Sequence, residues 1–347
     1  EVTQDAAVKV DSHYQAAMLY GETQQALPLL QQFYSQYPIN PQAEGIPERI
    51  VKLQEKGQDW AGASQTYLKI YQRDRAKAAA DKQSNALAAL WLAAESERKV
   101  SANNSRELAL YQQYLKEPNA VQAQNLEASE RLYQAAVFRK DVPVQQQELA
   151  RQLQFYRSQF QSAPAVVQPR LRYLAARGLT IQTAPLIEQY RAIPLTQPLK
   201  DSVGRKQAML QKVLESQQPI LDLKVAEYVT QSQFVLGDSF ARFYQGVLKA
   251  PAPTGISELE AEQYQIALEE QTQPLKDKAV EWHKVNANLA QDTWDTWVAQ
   301  SFDALATLSS GRYSRPVKKP TIPATDIYLT RVAATIDVKP EQALTDL

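Results

Sequence analysis

The chain has 347 residues, 44% apolar and 22% charged, and its 38 Lys plus Arg are matched by 38 Asp plus Glu. These proportions suit a folded protein with a sizeable core rather than a disordered segment, and zero net charge supplies no field to gather nucleic acid or an anionic membrane surface. The lack of cysteine excludes disulfides, a thiol nucleophile and cysteine-ligated zinc or iron–sulfur centres.

Only 10 residues are Gly, and Ala, Gln, Leu, Lys, Arg and Glu abound, the residues that lose least on entering a helix. The expected fold is all-α, and the length fits either two or three domains or one extended array of repeats. Apolar residues recur at three- and four-residue spacing, and Pro, Gly and Asn divide the chain into segments. The spacing predicts helices at 3–20, 24–37, 46–56, 59–75, 80–99, 105–116, 122–138, 143–161, 165–177, 180–192, 199–216, 219–249, 257–271, 274–291 and 293–309. No run reaches the roughly 18 apolar residues that a transmembrane helix needs. The first residue is Glu1, not Met, so a removed signal peptide or a trimmed chain is expected.

Local signals mark several joints. Ser257 and Glu260 form a capping box after Ala250–Pro251–Ala252–Pro253–Thr254–Gly255, which cannot continue a helix. Pro274 fits the first turn of a further helix, with the break at Thr272–Gln273. Beside the apolar stripe of 219–249, the small residues Ser232, Gly237, Ser239 and Ala241 allow close helix approach. After Tyr313, three prolines in eight residues, Pro316, Pro320 and Pro323, predict an extended linker over 314–325, then a short segment at 326–336.

A tetratricopeptide repeat is a hairpin of about 34 residues with a small residue early in its second helix, larger apolar residues four and seven positions on, and a proline near its end. Ala26, Leu30, Phe33 and Pro38 meet that spacing, and Ala63, Tyr67 and Ile70 meet its first three terms 37 residues later, with Arg75 in place of the proline. The copies are degenerate, since neither has the full first-helix signature and Pro28 falls within the second helix of the first. The fold expected is a solenoid of antiparallel helical hairpins, a TPR-like superhelix. It comprises degenerate hairpins over 1–218, further hairpins of the same solenoid over 219–313 and an extended tail over 314–347.

The stretch from Val225 to Tyr313 carries Glu227–Tyr228–Val229, Gly237–Asp238–Ser239–Phe240, Phe243–Tyr244, Ala250–Pro251–Ala252–Pro253, Gln273–Pro274–Leu275–Lys276–Asp277–Lys278–Ala279 and Ala304–Leu305–Ala306–Thr307–Leu308. It resembles the C-terminal portion of the periplasmic tetratricopeptide proteins of the adventurous-gliding-motility type, which are typically encoded with TonB-, ExbB- and ExbD-like components. The family pattern continues into Tyr-Pro, whereas Tyr313 here precedes Ser314–Arg315–Pro316. The resemblance implies a non-enzymatic periplasmic scaffold that binds other proteins, including such envelope components, with no catalytic residues to carry over.

The residues themselves offer little chemistry. His13 and His283 have no partner at zinc-protease spacing, so a surface or half-buried role is expected for each. Asp277 and Glu281, near His283, read as a solvated face rather than an acid–base pair. There is no phosphate-binding glycine loop and no Gly-x-Ser-x-Gly elbow, so neither a nucleotide cofactor nor a serine hydrolase is implied. Ser309–Ser310–Gly311 reads as a helix C-cap. Carboxylate pairs such as Glu258 with Glu260 and Glu269 with Glu270 leave open a second reading, a cell-wall-associated helical protein that regulates or performs peptidoglycan cleavage. A cytoplasmic assembly adaptor is a third.

Trp294 and Trp297, with Ser301, Phe302, Leu305 and Leu308, read as the seal of the last hairpin, and Trp60 and Trp91 as core. The 17 tyrosines suit a partner-facing surface. Arg170, Arg172 and Arg177 read as a solvated basic face. Arg312, Arg315, Lys318 and Lys319, beside the proline-rich segment, are the candidates for a partner-binding cluster.

Overall fold

A computed structural model of the chain describes residues 2–76, 80–309 and 313. Every element among them is helical: α1 (Val2–Leu19), α2 (Ala26–Gln36), α3 (Ile46–Lys56), α4 (Trp60–Arg75), α5 (Ala80–Val100), α6 (Ser105–Tyr114), α7 (Gln122–Arg139), α8 (Val142–Gln159), α9 (Gln168–Ala192), α10 (Leu199–Asp222), α11 (Ala226–Leu248), α12 (Glu258–Asn288) and α13 (Thr296–Leu308), with short 3₁₀ turns at Pro41–Ala43 and Leu289–Gln291. The all-α expectation holds. Each helix packs against its neighbours in chain order, and α11 also touches α9 and α13.

The core follows the same order as a string of local clusters. Ala17, Ala26, Leu30, Phe33 and Ile46 join α1, α2 and α3. Ala63, Tyr67, Ile70, Leu90, Tyr111 and Leu132 join α4 through α7. Further on, Leu126 meets Leu171 and Leu174, Leu153 meets Ile220 and Tyr228, and Tyr190 meets Val213, Phe243 and Leu268. The six residues that met the repeat spacing, Ala26, Leu30, Phe33, Ala63, Tyr67 and Ile70, are all buried. Pro28 is the third residue of α2, in the first turn, where a missing N–H removes no intrahelical bond.

The turns repeat as well. Gln58 between α3 and α4, Asn103 between α5 and α6, Lys140 between α7 and α8, and Lys224 between α10 and α11 all take left-handed backbone angles, with φ of 57°, 63°, 57° and 55°. In the first three the next residue is Asp59, Asn104 or Asp141, whose side chain accepts from backbone amides of the following helix. In two of them the amide after the left-handed residue reaches back five positions, Asp59 to the Gln54 carbonyl and Asp141 to the Ala136 carbonyl, each at 2.8 Å, which is the long bond of a Schellman ending.

Three predicted boundaries are corrected. The segments 165–177 and 180–192 form the single helix α9, and 257–271 and 274–291 the single 31-residue helix α12, with Pro185 and Pro274 inside. The predicted 219–249 helix is divided: Pro219 lies inside α10, and the chain breaks at Leu223–Val225, before α11. All three prolines are exposed, so the carbonyl four residues back that loses its N–H donor lies on the water side. A hydroxyl just upstream of each supports the backbone: Thr183 donates to the Thr180 carbonyl, Ser216 to that of Val213 and Thr272 to that of Leu268. The break at Lys224 has no glycine or proline to announce it.

Candidate functional site

Two places are considered first for their geometry and polar groups. The first is a cleft of about 310 Å³ between α2 and α4, floored by α3. Gln31, Tyr34 and Ser35 line one wall, Gln65, Thr66 and Lys69 the other, and Pro47, Ile50 and Gln54 the floor. The floor is fixed from within, since buried Gln54 accepts a 2.8 Å hydrogen bond from the Thr66 hydroxyl. Gln31, Ser35, Gln65 and Lys69 are exposed at the rim. Amides, hydroxyls and one ammonium thus surround the apolar Pro47 and Ile50.

The second is a buried polar junction of α11, α12 and α13. His283 and Asn286, one turn apart on α12, and Ser301 on α13 are each fully buried. His283 Nδ1 lies 3.2 Å from Ser301 Oγ. Asn286 Nδ2 donates to Ser301 Oγ at 2.8 Å and to the Thr230 carbonyl of α11 at 3.0 Å. Thr230 in turn donates to Asp295 at 2.6 Å, and the other Asp295 oxygen caps α13 through the amides of Trp297 and Val298, both at 2.9 Å. His283 Nε2 and Asn286 Oδ1 have no hydrogen-bond partner among the described residues. The edge of the ring lies against Gly237 of α11, where a Cβ would stand 2.7 Å from Cε1 and Nε2. Burial lowers the His283 pKa to about 4, against a smaller upward pull from Asp238, so the ring is neutral at pH 7.

The sequence expectations fare unevenly. His283 is wholly buried rather than at the surface or half-buried, while Asp277 and Glu281 lie on the exposed side of α12, bonded to Gln273 and Lys278. His13 is half-buried beside Tyr37. Gly237 is a site of close helix approach, as its size implied. Asn286, Thr230 and Asp295 drew no attention in the sequence, because nothing there links residues 56 or 65 positions apart. Ser257 and Glu260 form both bonds of the capping box, and Ser309 ends α13, with Ser310 and Gly311 outside the described residues. Trp297 packs on Phe234 at 5.4 Å, but α13 begins only at Thr296, so Trp294 precedes it and is exposed. Trp91 packs on Tyr111 and Tyr114, and Trp60 lies under Lys99.

The basic cluster on α9 is not a uniformly solvated face. Arg177 pairs with both oxygens of Glu130 on α7, at 2.5 and 2.7 Å, and only 13% of its side chain is exposed. Gln152 of α8 bridges the pair, and the Tyr133 ring lies 4.4 Å from the guanidinium. Arg170 pairs with Glu127 in a half-exposed setting, and Arg172 alone is exposed, over Phe160. Many tyrosines are likewise interior. Tyr67, Tyr71 and Tyr111 donate to Glu55, Glu117 and Glu95, and Tyr190 donates to the Ser239 carbonyl. Arg312, Arg315, Lys318 and Lys319 lie outside the described residues, as does the 314–347 segment.

Among the described residues no group of three or more His, Cys, Asp or Glu side chains is placed to hold a metal ion, and no helix is long and apolar enough to cross a membrane. The described residues form an all-α arrangement of sequentially packed helices, with an open cleft between α2 and α4 and a closed polar junction of α11, α12 and α13. Comparison of the chain with protein-family models, curated proteins and solved structures returned no match.

Proposed function

We propose that the chain is a non-enzymatic solenoid of helical hairpins that holds a segment of another protein in the α2–α4 cleft. The observation that carries this reading is the repeated hairpin joint: α3–α4, α5–α6 and α7–α8 close through the same left-handed residue followed by an Asp or Asn cap. Hairpins closed in the same way are suited to stacking into a solenoid, and stacked hairpins create extended concave binding surfaces. The cleft offers hydrogen-bonding groups around the apolar Pro47 and Ile50, which suits an extended peptide more than a small charged substrate.

The partner proposed is a TonB-, ExbB- or ExbD-like component of a periplasmic assembly, a reading that rests on the resemblance of residues 225–313. The test is capture from envelope extracts with the full chain and with a Gln65→Glu/Lys69→Glu variant, both exposed cleft positions where substitution leaves stability within about 0.5 kcal/mol. Such components should be retained by the parent chain and lost by the variant. Recovery of cytosolic proteins alone overturns the compartment, and equal capture by both chains overturns the cleft.

A further inference from the structure

The polar junction of α11, α12 and α13 encloses a titratable ring, that of His283. Its imidazole sits where three helices meet, with no exposed surface. One nitrogen faces Ser301, whose oxygen already accepts from Asn286, and the other faces Gly237 without a partner among the described residues. A neutral ring needs only one donor bond, which Ser301 can take. A protonated ring carries two N–H groups and a full charge, and the second N–H is directed at a glycine of α11.

The charged groups around the ring do not answer that need. Asp238 of α11 is bound by Arg191 of α9 and Arg242 one turn on, at 2.9 and 2.8 Å. Asp295, just ahead of α13, is used by Thr230 and by two helix amides. Glu281 and Lys284 on α12 and Asp303 on α13 are exposed, on the outer sides of their helices.

We propose that His283 is an acid-triggered latch: a proton taken from solvent onto its Nε2 has no acceptor within hydrogen-bond distance among the described residues of the closed junction, so protonation releases α13 from α11 and α12. Release breaks the Ser301 and Asn286 bonds, parts Trp297 from Phe234 and hands the imidazolium to water. The element set free is the last described helix, which leads into residues 314–347.

Hydrogen exchange by mass spectrometry on the full chain, corrected for the intrinsic pH dependence, tests this. With the folded-state pKa at about 4 against 6.5 in the open state, opening of α13 should increase about twentyfold between pH 7 and pH 5. His283→Asn places an amide nitrogen near Nδ1 and cannot titrate, so in that variant the increase should vanish while α1–α8 behave as in the parent. Unchanged α13 exchange in the parent, or the same increase in the variant, overturns the proposal. Should His283→Asn not fold, the imidazole resonances of the parent chain decide. His283 and His13 are the only two histidines, and His13→Gln identifies them. A His283 resonance that titrates while α13 stays protected would show a charged ring tolerated in the closed junction and overturn the proposal.

Discussion

The guanidinium of Arg177 on α9 and the carboxylate of Glu130 on α7 form a bidentate pair across 47 residues of sequence, with 13% and 7% of their side chains exposed. The pair ties α7 to α9, and Gln152 brings in α8 between them. Removing one partner leaves a largely buried charge alone. Arg177→Ala should therefore cost about 3–5 kcal/mol in urea unfolding, while Arg177→Met/Glu130→Leu should recover most of that loss because neither charge remains. Equal destabilisation by the single and double variants would contradict the pairing.

The same pair sets an acid dependence. Burial pushes the Glu130 pKa up, but hydrogen bonds from Arg177 and Gln134 and the Arg177 charge outweigh it, so the net shift is below 4.5. A carboxylate depressed in the folded state contributes stability that is full above its unfolded value and lost as pH falls through the folded one. Unfolding free energy measured below pH 4.5 should fall more steeply for the parent chain than for Glu130→Gln.

Much of the fold follows from local chemistry, and much of the site does not. Helix formers, caps and apolar periodicity locate most of the helices, because these signals act within a few residues. Pro219 and Pro274 read as helix starts, yet each lies inside a helix on its water-facing side, where a lost intrahelical bond is open to solvent. Lys224 reads as helix interior because the left-handed turn there uses a lysine where glycine is commoner. Arg177 reads as surface charge because its partner is 47 residues away, and His283 reads as a surface or half-buried residue because Gly237 and Ser301 reach it from other helices. Pairing between helices is a property of packing, which charge and composition do not encode locally.

Gly237→Ala tests the tight contact of α11 with α12. In an exposed helix the change would stabilise by about 1 kcal/mol. Here the new methyl would stand 2.7 Å from the His283 ring, and overpacking should reverse the sign, costing about 1–3 kcal/mol. Gly237→Ala combined with His283→Ala should lose less than the sum of the two single changes, because the clash disappears with the ring.

Asp295 serves both the start of α13 and its bond to α11. Asp295→Ala removes the cap and the acceptor of the Thr230 hydroxyl, and should cost about 1–2 kcal/mol. Hydrogen exchange should place the loss in α13 and leave α1–α8 unchanged.

Under the proposed function the α2–α4 cleft holds another protein. A photo-crosslinking residue at exposed position 65, on the cleft wall, compared with one at exposed position 218 on α10, tests it in intact cells. A discrete adduct to an envelope protein from position 65 and none from position 218 is the predicted result. Identical adducts from both positions, or none from position 65, would rule out a partner seated in the cleft.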